Sequence, residues 1–391
     1  MAKSNFQTKS SFMSFLLVAF LLVALFTSVS VVKQKQDLRS RAQVECFVWP
    51  IFGPVSQRAE SPSLQDAVNS HNCVRVRKGT YNLTGPLTLW SNKTLKGESR
   101  DETILKASGA WPNNGLEGVV QMIRNDVSGV NVSNLTIDAN QISTHAIVIR
   151  GAVVDSVRAK NGKCTGITIP GPAAIVNNSI IERNGNTCPV APPGAGIYAD
   201  GTDDKSKVPP QYAPRITNNT IRDNYGPGID INTVWNGVIQ DNTITNNKGW
   251  AGVSLYSSSY WNISGNIINQ PATSDYQKYH PRCAGGPNGA KSAGIFLCED
   301  YDQNEGQPNT VTIYNTIENN RSASWYGILL IGNDEQTPYL VPRFNTIKNN
   351  NVFGSTHGCA DDFKVGQWMD GANTWTNNNC SGTSNTPPSY Y

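Results

Sequence analysis

Short apolar runs recur along this chain in one form, a Gly followed by apolar, variable and apolar positions. They read Gly166-Ile167-Thr168-Ile169, Gly196-Ile197-Tyr198-Ala199, Gly228-Ile229-Asp230-Ile231, Gly252-Val253-Ser254-Leu255, Gly294-Ile295-Phe296-Leu297 and Gly327-Ile328-Leu329-Leu330. Alternation with period two, over so few residues, is strand behaviour and too short for a helix. Between these runs lies a second phrase, an Asn, then Thr or Ile, then Ile, then one or two further Asn. It occurs at Asn219-Thr220-Ile221, Asn242-Thr243-Ile244, Asn266-Ile267-Ile268, Asn315-Thr316-Ile317 and Asn345-Thr346-Ile347, with fainter copies at Leu135-Thr136-Ile137, Ser156-Val157 and Ser179-Ile180. The first intervals are 23 and 24 residues. Such a period marks a repeat architecture.

Each repeat therefore holds two or three short strands joined by Asn and Gly turns, with no helical crossover. Stacked coils of this kind form an all-β, single-domain parallel β-helix in which each coil touches only its neighbours. Inward Ile and Val columns supply the core. The repeated Asn suits left-handed turn backbone, and its amide is placed to bond the equivalent Asn one coil away.

On these residues the chain resembles the right-handed parallel β-helix proteins of the pectin-lyase-like superfamily, over about residues 60–355. Its opening, Leu64-Gln65-Asp66-Ala67-Val68, Val74-Arg75-Val76, Lys78-Gly79-Thr80-Tyr81 and Leu87 through Gly97, carries the same resemblance. Segment 61–70 reads as an amphipathic helix covering the open end of the solenoid, whose unpaired edges otherwise invite aggregation. The resemblance implies a link to polysaccharides and no single reaction, because the superfamily hosts lyases, hydrolases, epimerases and binding proteins. The Asn-Thr-Asp, Gly-Asp-Asp, Gly-His-Gly and Arg-Ile-Lys phrases of its polygalacturonases and the Asp-Pro-His of its alginate epimerases are absent. His357-Gly358 and Asp361-Asp362 are the nearest approach, in the wrong order and past the repeats.

The organisation expected is a leader over 1–32, a polar linker over 33–45, a cap and first coil over 46–93, the β-helix over 94–355, and an end cap with a polar tail over 356–391. Lys3 and Lys9 precede an uncharged stretch from Ser10 to Val32. It reads as a signal peptide with Ser28-Val29-Ser30 as cleavage site, or as an uncleaved anchor long enough to span a bilayer. Either reading sends the chain into the secretory route, secreted or membrane-anchored. The net charge is +3, and +1 without those two lysines, which gives no case for nucleic-acid binding. A monomer is expected.

Eight cysteines fit an oxidising compartment. Of their many connectivities, solenoid locality favours sequence neighbours: Cys46–Cys73, Cys164–Cys188, Cys283–Cys298 and Cys359–Cys380. Sequons at Asn82, Asn92, Asn131, Asn134, Asn177, Asn218, Asn262, Asn320 and Asn379 point to a glycosylated surface if the host performs that chemistry.

Regularity breaks over 188–214 and 271–291, read as insertions flanking one face. Long loops on a rigid scaffold concentrate function. On that face the residues two and four after each Gly point outward, which places Asp200 and Asp230 on neighbouring coils, about 8 Å apart at Cα from strand geometry. Glu299 and Asp300 follow Cys298. Tyr198, Tyr256, Phe296 and Tyr279 offer aromatic faces for sugar rings. Three readings stay open: hydrolysis by a carboxyl pair; β-elimination with Ca²⁺ held by carboxylates and His280 or Arg282 taking the proton; or solvated acids with no chemistry, as in a glycan-binding or structural module. His71 and His145 read as hydrogen-bonded turn or surface residues. Trp235, Trp250, Trp261 and Trp325 read as covers for coil edges.

Overall fold

The computed structural model describes residues 46–50, 61–111, 117–122, 124, 126–171, 174–188, 194–201, 213–271, 292–298, 312–331, 342–361 and 372–380. Met1–Cys46 separates as its own unit, and only its last residue is described, so the leader and linker lie outside the described residues. No described helix is long and apolar enough to cross a membrane.

The second unit, Phe47–Tyr391, contains the solenoid. Three parallel sheets run its length, with twelve, nine and ten strands, here called A, B and C in the order each coil visits them. Every strand pairs in parallel with its counterparts one coil away. Inward columns are aliphatic and fully buried. Sheet A stacks Val154, Val176, Ile216, Ile239, Ile263, Ile317 and Ile347, and sheet B stacks Ile137, Ala159, Ile181, Ile221, Ile244 and Ile268. Three-residue strands suffice because the core is shared between coils.

The corners divide the work expected of one Asn between two adjacent residues. The first takes left-handed backbone: Asn218, Asp241, Asn319 and Asn349 have φ of 57°, 54°, 56° and 55°. The next turns its amide inward and ladders. Asn219 Nδ2 donates to Asn242 Oδ1 at 3.0 Å, Asn242 to Asn266 at 3.0 Å, Asn266 to Asn320 at 2.9 Å, Asn320 to Asn350 at 3.0 Å and Asn350 to Asn378 at 2.9 Å. A second ladder, Asn184 to Asn224 to Asn247, leaves the far end of the sheet B strands, and a third, Asn315 to Asn345 to Asn373, enters sheet A.

That third ladder corrects the repeat phase. Asn315-Thr316-Ile317 looks like Asn219-Thr220-Ile221, yet Thr316–Glu318 belongs to sheet A and pairs with Asn262–Ser264, whereas Thr220–Arg222 belongs to sheet B. The phrase encodes any three-residue strand between two Asn corners, in whichever sheet it falls. The stretch 188–214 is likewise no single insertion, since it contains the sheet C strand Ile197–Asp200.

The helix Ser61–Ser70 packs on the first strands as expected. Gln65 Nε2 donates to the carbonyl of Thr88 at 3.0 Å while Thr88 N–H donates to Gln65 Oε1 at 2.8 Å. Its amide thus stands in for the missing neighbour at the open edge of sheet C. Cys164–Cys188 and Cys359–Cys380 are disulfides. Cys46, Cys73 and Cys298 are also disulfide-bonded, and Cys283 lies outside the described residues.

Candidate functional site

Sheet C carries the candidate face. The Gly at the start of six of its strands, Gly166, Gly196, Gly228, Gly252, Gly294 and Gly327, sits where no side chain fits: a Cβ at Gly228 would meet Ile244 Cγ2 at 2.5 Å and the Gly252 carbonyl at 2.6 Å. This tight corner sets the phase of the strand, with the residues one and three after the Gly inward and those two and four after it outward. Register fixes two outward columns. The first is Thr168, Tyr198, Asp230, Ser254, Phe296, Leu329, and the second is Pro170, Asp200, Asn232, Tyr256, Cys298, Ile331. Asp200 and Asp230 are therefore diagonal neighbours, one rung and two residues apart.

Outward does not mean exposed. Strands Ala251–Tyr256, Ala293–Cys298 and Tyr326–Ile331 are buried on both faces. Tyr256 and Phe296 meet edge to face at 5.8 Å between ring centres, within a second apolar cluster that includes Leu329, Ile331 and Ala360. Their faces are consequently not the open sugar platforms expected of them. The outward residues here are themselves apolar and collect together as a buried layer.

Towards the other end the columns turn polar. Asp230 is 5% exposed. Ser254 Oγ donates to Asp230 Oδ1 at 2.6 Å. Burial pushes the Asp230 carboxyl up to about 7; the Ser254 hydrogen bond opposes this and the charge of Asp200 adds to it. A solvated Asp230 is excluded by this burial. Tyr198 is half-buried, and burial raises its phenol pKa far above the ordinary value, with Asp200 and Asp230 pushing the same way. Asp200 itself is half-exposed.

Next along the first column, Thr168 shares hydrogen bonds with His145 Nδ1, at 3.0 Å, and with Thr165, which also meets His145. His145 is a buried strand residue in sheet C, not a turn or surface residue. His71 lies just beyond the cap helix, stacked on Phe47 at 4.1 Å. Trp261 is buried, its Nε1 donating to the Val234 carbonyl at 2.7 Å.

Glu299, Asp300, His280, Arg282 and Tyr279 lie outside the described residues. Among the described residues no group of three or more His, Cys, Asp or Glu is placed to hold a metal ion. Arg150, two residues beyond Val148 and so in line with Pro170 and Asp200, escaped the sequence reading because its coil lacks the opening Gly phrase.

Solved structures share this architecture at low identity. The A-module of mannuronan C-5 epimerase AlgE6 from Azotobacter vinelandii is 15% identical, with 85% of this chain and 99% of that one covered and a TM-score of 0.50. PfbA, a surface adhesin of Streptococcus pneumoniae, is 13% identical over 87% and 80%, with a TM-score of 0.51. The pre-mature gene product 12 of bacteriophage phi29 is 13% identical over 90% and 51%, with a TM-score of 0.52. These likenesses show the fold. A comparison with curated proteins found no match. The family described as right-handed β-helix region matches residues 117–271 and 191–381, and the chain, with its three parallel sheets and buried Asn ladders, belongs to that family.

Proposed function

We propose that this protein acts on an extracellular polysaccharide, and that glycoside hydrolysis at Asp200 and Asp230 is the chemistry its geometry supports best. The observation that carries the reading is the unlike environment of two neighbouring carboxyls. Asp230, buried and held near neutrality in its acid form, suits proton donation to a glycosidic oxygen; half-exposed Asp200 suits activation of water. In that step Asp230 gives its proton to the departing sugar oxygen as the anomeric C–O bond breaks. Asp200 takes a proton from the water whose oxygen forms the new bond. One rung of roughly 4.8 Å and two residues of roughly 3.3 Å each give about 8 Å between Cα atoms, a spacing compatible with an inverting pair. The glycosidic oxygen must enter from the Asp200 side, where the columns are partly open. Secretion or membrane anchoring through the amino-terminal segment accords with the disulfides.

The burial of Asp230 favours one rival, glycan binding without cleavage, in which its carboxyl only braces the strand. The test is turnover of a polysaccharide panel by the purified protein, read as reducing ends and as unsaturated uronates. New reducing ends, lost in both Asp200→Asn and Asp230→Asn, support hydrolysis. Unsaturated products would replace it by β-elimination, and binding with no product of either kind would leave the rival standing.

A further inference from the structure

Arg150 is a half-buried cation. Its Nη1 donates to the carbonyl of Pro170, one rung along, and among the described residues no carboxylate pairs with it. Several other arginines of the solenoid do find acids. Arg222 meets Glu182 at 2.8 Å, Arg158 meets Asp101 at 3.3 Å, and Arg124 meets Asp126 at 3.0 Å. Burial lowers the pKa of Arg150, and among the described residues no acid compensates, so the fold bears a desolvation cost that an ion pair would offset.

Its position gives that cost a purpose. Val148 pairs with Thr168 and Pro170 pairs with Asp200, so Arg150 takes the second outward column two rungs before Asp200. At roughly 4.8 Å per rung the two backbones stand about 10 Å apart on one face. Gly171, whose φ is +121°, makes room for the guanidinium itself, since a Cβ there would come 3.1 Å from Arg150 Nη1. An arginine fork matches a two-oxygen anion, and it is the residue type suited to holding one away from bulk water.

We propose that Arg150 is an anion-binding subsite that takes a carboxylate or sulfate carried on a sugar, fixing the ligand as an acidic polysaccharide lying across the rungs of sheet C from Arg150 towards Asp200. This rests on the reading of Asp200 and Asp230 as the site. The subsite selects acidic over neutral glycans and also sets the polymer's direction, since the acidic unit docks two rungs to one side of the reacting bond.

Binding is measured calorimetrically, at several salt concentrations, for oligomers bearing carboxylates (oligogalacturonate, oligomannuronate), oligomers bearing sulfate esters, and neutral glucan oligomers. Wild type is expected to bind one acidic class at least tenfold more tightly than the neutral oligomers, and the class bound identifies the anion. Arg150→Gln should remove that preference, Arg150→Lys should retain part of it, and Gly171→Ala should weaken it by crowding the guanidinium. Thermal melts confirm that each variant is folded. Acidic-glycan affinity within twofold of wild type in Arg150→Gln, or neutral oligomers bound as tightly as acidic ones, would overturn the proposal. The readout is independent of turnover. Arg150-dependent binding without cleavage sinks the hydrolytic reading and keeps the subsite, whereas cleavage of a neutral glucan indifferent to Arg150 does the reverse.

Discussion

Ser254 donates its hydroxyl proton to Asp230 across one rung of sheet C, at 2.6 Å, and this single bond is what moderates a carboxyl otherwise governed by burial. The sign of the resulting pH dependence comes from linkage. The folded carboxyl sits at about 7 against an ordinary 3.8, so the folded state holds its proton more tightly than the unfolded chain does. Any stability this confers is present below the ordinary value and is lost as pH rises from about 4 through about 7. Asp230→Asn removes that dependence. Its melting temperature should exceed wild type above pH 7, by an amount corresponding to a few kcal/mol at most, and match it near pH 4. Parallel melts at pH 4 and pH 8 check this; an equal change at both would show that Asp230 titrates as an ordinary acid.

Ser254→Ala should act in the opposite sense on the carboxyl. Losing the donor that lowers the Asp230 pKa lets burial raise it further. The carboxyl resonance of Asp230, tracked by NMR as pH is varied, should move its midpoint above the wild-type value. The buried acceptor left behind should cost about 1–3 kcal/mol of stability.

The Asn ladders make a separate prediction, because each rung serves several partners at once. Asn266 Oδ1 accepts from the backbone N–H of Asn242 at 2.9 Å and from its Nδ2 at 3.0 Å. Its own Nδ2 donates to the Ile239 carbonyl at 2.9 Å and to Asn320 Oδ1 at 2.9 Å. Asn266→Ala therefore strands several buried groups at once, and an unsatisfied one costs about 1–3 kcal/mol. A loss of about 3–5 kcal/mol is expected in urea unfolding. An exposed left-handed neighbour such as Asn349, replaced by Gly, should cost less than about 1 kcal/mol, because Gly adopts that backbone freely.

That contrast also explains what the sequence disclosed. Period-two runs opened by Gly fixed sheet C, its outward columns and the Asp200–Asp230 diagonal, since alternation and a tight corner are local properties. The Asn phrase disclosed the corners but not the sheet, because Asn219 and Asn315 flank identical Asn-Thr-Ile text on different sides of the coil. Burial of outward residues was not legible. Tyr256 and Phe296 face away from the core by register and gain their cover from each other and from Leu329, Ile331 and Ala360, which are distant in sequence. Arg150 was hidden first because its coil lacks the opening Gly phrase, and then because the absence of a paired carboxylate among the described residues is a fact about space.

The far end of the solenoid fails first if coils contact only their neighbours. There Asp361 pairs in register with inward-facing Leu330, an unusual place for an acid. It accepts from Trp375 Nε1 at 2.8 Å and from Asn373 Nδ2 at 3.1 and 3.2 Å, which ties the last strand of sheet C to the last strand of sheet A, Thr374–Thr376. The Cys359–Cys380 disulfide, 21 residues apart in sequence, closes the same turn of chain. Replacing both cysteines by serine should release a loop constraint of about 3 kcal/mol on the chain-entropy account. In a one-dimensional stack that loss need not spread. Hydrogen exchange should quicken at Thr346–Lys348, which pairs with Thr374–Thr376, and stay unchanged at Thr220–Arg222. Equal acceleration at both strands would mean that the coils unfold as one cooperative unit and that the end cap stabilises all of them.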